Sequence, residues 1–159
     1  MIGSALEKYK WEKSMQKEYD PKMHSAEHLL NRAMVSKFGC QRCFSAHINK
    51  KKSKCDYHFD RPLTEREINE LQDKVNLEIQ KDHPVVIDMI TKADAGKQFD
   101  LGRVPEKEHL DQLRIVRIGD YDACPCIGPH VISTGEIGTF KITTAGFEKG
   151  VLRIRFKLL

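Results

Sequence analysis

His24 and His28 stand four residues apart in a stretch that reads as helix, and Cys126 and His130 stand four apart around a Gly-Pro pair. A helix turns once every ~3.6 residues, so the two imidazoles of the first pair leave the same face one turn apart. That spacing lets two nitrogens reach one ion at ~2.0–2.1 Å. Gly128-Pro129 bends the chain so that a thiolate and an imidazole converge. Each half has an ordinary reading as well: a histidine pair on a helix face, and a tight turn carrying a buried Cys and an exposed His. Together the halves supply three nitrogens and one sulfur, a ligand set that suits zinc and not a hard cation such as magnesium. One zinc ion per chain, held by His24, His28, Cys126 and His130, is the expectation.

The elements that would position these residues follow from the pattern around them. Asp20-Pro21 reads as an N-cap followed by proline at the first helical position. Met23, Ala26, Leu29, Leu30, Ala33, Met34 and Phe38 then recur at helical spacing until Gly39. Residues 43–49 and 54–59 read as a β-hairpin with a basic tip, which would pair residue 45 with about 58. Thr64 and Glu67 form a capping-box pattern, and Ile68, Leu71, Val75, Leu77 and Ile79 carry a second helix to about Lys81. Pro84 ends it before a strand over 85–91. A loop-rich stretch with Gly96, Gly102 and Pro105 leads to a strand over 113–118. Two more strands, near 138–144 and 151–158, flank a turn at 146–150. Residues 4–19 are rich in helix formers and form an N-terminal extension to a core spanning 20–159. The class is α+β, with helices laid against an antiparallel sheet.

A chain of 159 residues suits one domain, burying roughly 70% of its unfolded surface. With 40% hydrophobic and 31% charged residues it reads as globular and not disordered. No apolar run approaches the ~20 residues that cross a bilayer, and the first residues, MIGSALEKYKWEKS, lack the apolar region of a signal peptide. The cytoplasm is the default compartment, where five cysteines serve as thiols or metal ligands and not as a disulfide framework. A net charge of +4 permits an acidic partner such as RNA but is too mild for a protein that coats a DNA duplex.

HSAEHLL at 24–30 and CIGPHVISTGEIGTFKI at 126–142 resemble the two metal motifs of the second additional domain of threonyl- and alanyl-tRNA synthetases. That domain also occurs free-standing in AlaX-type trans-editing proteins. FDRPLTEREINELQDKVNLEI at 59–79 resembles the link between the motifs in AlaX-type chains, so the resemblance runs from about residue 20 to the C-terminus. Gly128-Pro129-His130 is similar to the threonyl form, and Thr134-Gly135-Glu136-Ile137-Gly138 with Phe140-Lys141-Ile142 to the alanyl form. Cys124 stands where the threonyl form commonly has an acidic residue, and Ile127 and Pro129 depart from the alanyl pattern.

The resemblance implies a zinc-dependent hydrolase that deacylates mischarged aminoacyl-tRNA, serine on the alanine tRNA or on the threonine tRNA. The ester is already activated, so no ATP is called for. Zinc could orient the amino acid, polarise the carbonyl or lower the pKa of water to around 7. The role carried to Ser25 is recognition of the substrate's side-chain hydroxyl, a contact that discriminates strongly against an analogue lacking it. Lys50, Lys51, Lys52 and Lys54 are candidate contacts to tRNA phosphate. Three alternatives stay open. His24-x-x-Glu27-His28 matches the inverzincin protease pattern with Glu27 as general base, although that class needs a further carboxylate ligand. Cys40, Cys43, Cys55 and His58 invite a second, structural zinc, for which the hairpin would have to distort. A zinc-stabilised RNA-binding module without hydrolase activity fits the departures at Cys124 and Pro129. Outside the second-zinc alternative, His47, His58, His83 and His109 read as structural or surface residues.

Overall fold

Asp20 holds an extended backbone while its carboxylate accepts the Met23 N–H at 3.0 Å, and Pro21 occupies the first turn, where its missing N–H costs nothing. Helix α1 therefore runs Pro21–Phe38, and Gly39, at a φ of 66°, closes it by donating its N–H to the Val35 carbonyl. The computed structural model describes residues 19–101 and 111–159. Apart from Tyr19, the expected N-terminal helix lies outside the described residues, as do Gly102, Pro105 and His109.

The stripe expected on α1 is the buried one: Met23, Ala26, Leu29, Leu30, Ala33 and Met34 are all within 3% of full burial. They share one apolar cluster with a four-stranded antiparallel sheet of β1 (Ser45–His47), β2 (Ser53–His58), β6 (Phe140–Glu148) and β7 (Val151–Leu158), in the order β1-β2-β7-β6. Along β7, Leu152, Ile154 and Phe156 alternate inward, each contributing about 1.5–3 kcal/mol by its burial. Helix α2, Glu65–Gln80, begins with the expected capping box of Thr64 and Glu67. Its Asn76 and Gln72 side chains bond the backbone of Phe140 and Ile142, so the helix covers the edge that β6 would otherwise expose. Leu77, expected on the apolar face of this helix, is exposed, and Glu78 is buried in its stead.

A second antiparallel sheet contains β3 (Val85–Thr91), β4 (Gln112–Ile118) and β5 (Asp122–Pro125), in that order. Two features of it depart from expectation. Part of the loop-rich stretch is a short helix α3, Lys92–Gln98, because Thr91 accepts the Asp94 N–H as an N-cap and Ala95 packs inward. Strand β5 is too short to leave a periodic trace, yet it pairs fully with β4, Val116 opposite Cys124. Elsewhere the hairpin pairs Ser45 with Asp56 and not with 58: Ser53 bonds both the N–H and the carbonyl of Asn49, so the turn closes and the returning strand begins one residue earlier than expected. The last turn is also tighter than expected: Lys149 and Gly150 both have positive φ, which lets β6 run on to Glu148.

The segment after His130 is held against the end of α2. The Thr134 hydroxyl donates to the Glu78 carbonyl and accepts the His83 N–H, while Asp82 accepts from Gly135 N–H. The buried Glu78 carboxylate takes Lys74 at 2.8 Å, Lys81 at 2.9 Å and the His83 ring. Burial pushes its pKa upward, but these three donors outweigh it and bring it down to about 2. A folded-state value below the unfolded one contributes stability at pH above ~4.5 that is lost as the pH falls toward ~2. Both lysines are half in solvent, which screens the gain. Glu78→Gln is therefore expected to lower unfolding stability in urea by about 1–3 kcal/mol at pH 7. The gap to the unsubstituted chain should close progressively below pH ~4.5.

Candidate metal centre

One turn of α1 separates His24 from His28, and the chain leaving β5 brings Cys126 and His130 to the same point. One ligand atom from each of the four side chains lies within 4.8 Å of the others. The His24 and His130 rings stack at 4.1 Å between centroids, and the His28 ring meets both edge-on. Cys126 Sγ is 3.4 Å from His24 Nε2. The loop reaches this position by two devices. Arg114 on β4 donates to the carbonyls of Cys126 and Gly128, at 2.9 and 2.8 Å, and its own carbonyl accepts the Cys126 N–H. Gly128 lies so close to α1 that a Cβ would fall 2.3 Å from His24 Cε1, so no other residue fits there.

The far side of each ring is tied down. A carbonyl only accepts, so His24 Nδ1 carries the proton in its 3.0 Å bond to the Pro129 oxygen, and the Nε2 lone pair faces the cluster. His28 Nδ1 faces Asp122 at 3.6 Å and Cys124 Sγ at 3.4 Å. Asp122 is buried and is itself gripped by Arg32 at 3.0 Å and Arg42 at 2.7 Å. His130 Nδ1 meets Ser25 Oγ at 2.9 Å, and that oxygen also accepts the Val131 N–H at 3.2 Å. Its other nitrogen, Nε2, is buried with no hydrogen-bond partner among the described residues. A buried imidazole nitrogen without a partner is costly unless something binds it. The orphaned nitrogen, the lone pair aimed inward from His24 and the donor set of three nitrogens and one sulfur all fit a zinc ion.

The charges at the centre are arranged in the same sense. Burial opposes ionisation of the Cys126 thiol, yet the His28 charge and hydrogen bonds from His130, His24 and His28 hold it well below the ordinary thiol range. Burial, with the His28 charge behind it, pushes His130 down to about 3, so its ring is neutral near pH 7. His28 goes the other way: burial is outweighed by Cys124, Cys126 and Asp122, which raise it well above its ordinary value. A divalent cation would take the place of the proton on the inner nitrogen of His28, beside the Cys126 sulfur, while Nδ1 keeps its proton toward Asp122.

Other candidate residues fall elsewhere. Ser25 is fully buried within the cluster. Lys50, Lys51 and Lys52 are exposed at the hairpin tip, while Lys54 is half-buried and reaches Asp56 at 3.4 Å. The quartet Cys40, Cys43, Cys55 and His58 is divided. Cys40 and His58 line a surface cleft of about 480 Å³ with Phe38, Phe59 and Arg61, whereas Cys43 and Cys55 are buried beside Glu27. His83, expected to be structural or a surface residue, pairs with Glu78. Asp122, Arg32, Arg42 and Arg114 escaped the sequence reading. The threonyl form commonly has an acidic residue two places before the motif cysteine, where this chain has Cys124. Asp122, two residues further back on the same strand, reaches His28 beside the Cys124 sulfur. It approaches the outer nitrogen of His28, so it does not complete a protease-type His-His-carboxylate set.

The family model for the threonyl and alanyl tRNA synthetase second additional domain matches residues 113–155. The chain is similar to alanine–tRNA ligase 1 of Lachnoclostridium phytofermentans, 36% identical over 135 residues that cover 84% of this chain and 15% of that protein. Similarity to the alanine–tRNA ligases of Nitrosomonas europaea, 33% over 139 residues, and Petrotoga mobilis, 34% over 135, has the same extent, covering 82% and 84% of this chain. The chain thus spans about 15% of the length of the curated relatives it matches.

Asp122 orients His28 from behind. If the centre takes up zinc, Asp122→Asn is expected to weaken that uptake ~10–100-fold while the four inner side chains stay in place. Competition against a chromophoric chelator, with circular dichroism as the control for folding, measures this.

Proposed function

This chain belongs to the threonyl and alanyl tRNA synthetase second additional domain family, and from that premise we propose that it is a zinc-dependent deacylase of mischarged aminoacyl-tRNA. The substrate is serine esterified to the alanine tRNA or the threonine tRNA, and residues 20–159 act as one editing unit. The observation that carries this reading is the convergence of His24, His28, Cys126 and His130, with His130 Nε2 buried and unsatisfied. In this reading those four residues hold zinc, which would supply a Lewis acid for the ester carbonyl or a site for water.

The chain's own residues do the rest. Pro129, Asp122 and Ser25 hold the outer nitrogens of His24, His28 and His130 and so keep the inner ones aimed at one point. Ser25, to which hydroxyl recognition was assigned from the family, has its oxygen engaged by His130 and the Val131 N–H. Both of those bonds use its lone pairs and leave its O–H to donate, so in this reading Ser25 sets the His130 ring and keeps one donor for the substrate's side-chain hydroxyl. Lys50, Lys51 and Lys52 stand free of the sheet on an exposed tip, where they would contact tRNA phosphates through charge alone. No described helix is long and apolar enough to cross a membrane, and the reading requires the cytoplasm, where tRNA is charged.

Two measurements test it. Serine charged on alanine and threonine tRNAs is incubated with the zinc-loaded chain, with and without chelator. Chelator-sensitive release of serine from at least one is expected, whereas release from neither with zinc bound would favour an RNA-binding module without hydrolase activity. Replacing Lys50, Lys51 and Lys52 by Ala is expected to weaken tRNA binding and to reduce the slope of log affinity against log salt, by up to roughly 2 units if all three contact phosphate.

A further inference from the structure

Beside the first centre, α1 carries a carboxylate that faces two ways. Glu27 Oε2 lies 3.5 Å from His24 Nε2 and 3.9 Å from His28 Nε2. Its Oε1 lies 3.5 Å from Cys43 Sγ. Cys43, just ahead of β1, and Cys55, on β2, are almost wholly buried, and a ligand atom from each falls within 4.8 Å of the other and of a Glu27 oxygen. We propose that Glu27, Cys43 and Cys55 form a second metal site, for a thiophilic divalent cation such as zinc, and that Glu27 bridges it to the first.

Three observations support the site. The donors are of the right kind: two thiolates select zinc-like cations over magnesium or calcium, and a carboxylate adds a third ligand, leaving one position for a small molecule such as water. Their supports are fixed independently of any metal. The Asn31 amide donates to Glu27 Oε1 at 3.0 Å, and its carbonyl oxygen takes the Cys43 N–H at 3.0 Å and the Tyr57 hydroxyl at 2.8 Å. One asparagine thus holds the helix, the start of the hairpin and β2 in mutual register, with each polar group satisfied. The charge is also tolerable: two thiolates and a carboxylate around a dication leave one net negative charge, and the largely buried Arg42 guanidinium acts on Glu27 from nearby. Cys40 and His58 take no part, which separates this triad from the quartet that spacing alone suggested.

The site stands apart from ester hydrolysis, and only the shared carboxylate depends on the first centre. The full chain, stripped by chelator under a phosphine reductant, is reloaded with zinc and freed of excess. Native mass spectrometry should count two ions on the unsubstituted chain, and one on Cys43→Ala and on Cys55→Ala. The ion retained at the histidine centre shows that these variants fold. Zinc K-edge absorption on the unsubstituted chain gives a second reading that needs no variant: three sulfurs shared by two ions, against one sulfur for one ion. A single zinc per chain with one sulfur overturns the proposal, whether or not Cys43 and Cys55 are then found joined as a disulfide. Two ions on a chain that releases no serine would refute the deacylase reading and leave this site standing.

Discussion

Three imidazoles and a thiol crowd to one point here, and to hold one metal ion each imidazole would have to present its lone pair and not its proton. That demand is met from outside. A backbone carbonyl, a carboxylate and a serine hydroxyl take the three outer nitrogens, and much of the fold positions those three groups. Pro129 can accept from His24 because Gly128 lets the loop lie against α1. Asp122 can stay ionised in the interior because His28 and Arg42 offset the cost of burying it, holding its carboxyl well below the usual range despite desolvation, and Arg32 bonds the same carboxylate. Ser25 can hold His130 because the residue after His130 donates its N–H to the same oxygen.

The two sheets divide this labour. The four-stranded sheet provides the apolar mass against which α1 is packed, and so settles where the His24 and His28 face can point. The three-stranded sheet delivers the second half-site: β5 ends one residue before Cys126, and Arg114 on its neighbour β4 clamps the carbonyls on either side of Ile127. Thr134, His83 and Glu78 then tie the far end of the loop to α2. Both ends of the segment that carries Cys126 and His130 are therefore anchored to different elements, which leaves the loop little freedom to drift from the helix.

Glu27 and Asn31 give α1 a second polar face beside the histidines. Asn31 bonds groups from three segments, with both lone pairs of its oxygen taken, and the Glu27 carboxylate sits between two clusters of soft ligands. Polar groups this deep cost stability unless every partner is present. A helix that merely packed on a sheet would have placed apolar side chains here, as it does at Leu29, Leu30 and Met34 on the rest of its surface.

Local chemistry wrote much of this into the sequence. The caps at Asp20 and Thr64, the stop at Gly39, the apolar stripe of α1 and the alternation of β7 are short-range effects, legible because a residue and its neighbours suffice to produce them. The i,i+4 spacing placed His24 and His28 on one face for the same reason, and the Gly128-Pro129 turn marked the second pair. What spacing could not supply was partnership over distance. Cys126 meets His24 across 102 residues, and Asp122 reaches His28 across strands whose pairing depends on β5, too short to leave a period. The hairpin register differs by two residues from the one expected, with Ser53 closing the turn on Asn49, and the four cysteine and histidine candidates divide between a surface cleft and a buried pair. Residue types and local periods determined which side chains were able to bind a metal. Only the tertiary structure decided which of them share a point, because that depends on strand register, loop clamps and buried counter-charges contributed by residues far away in the chain.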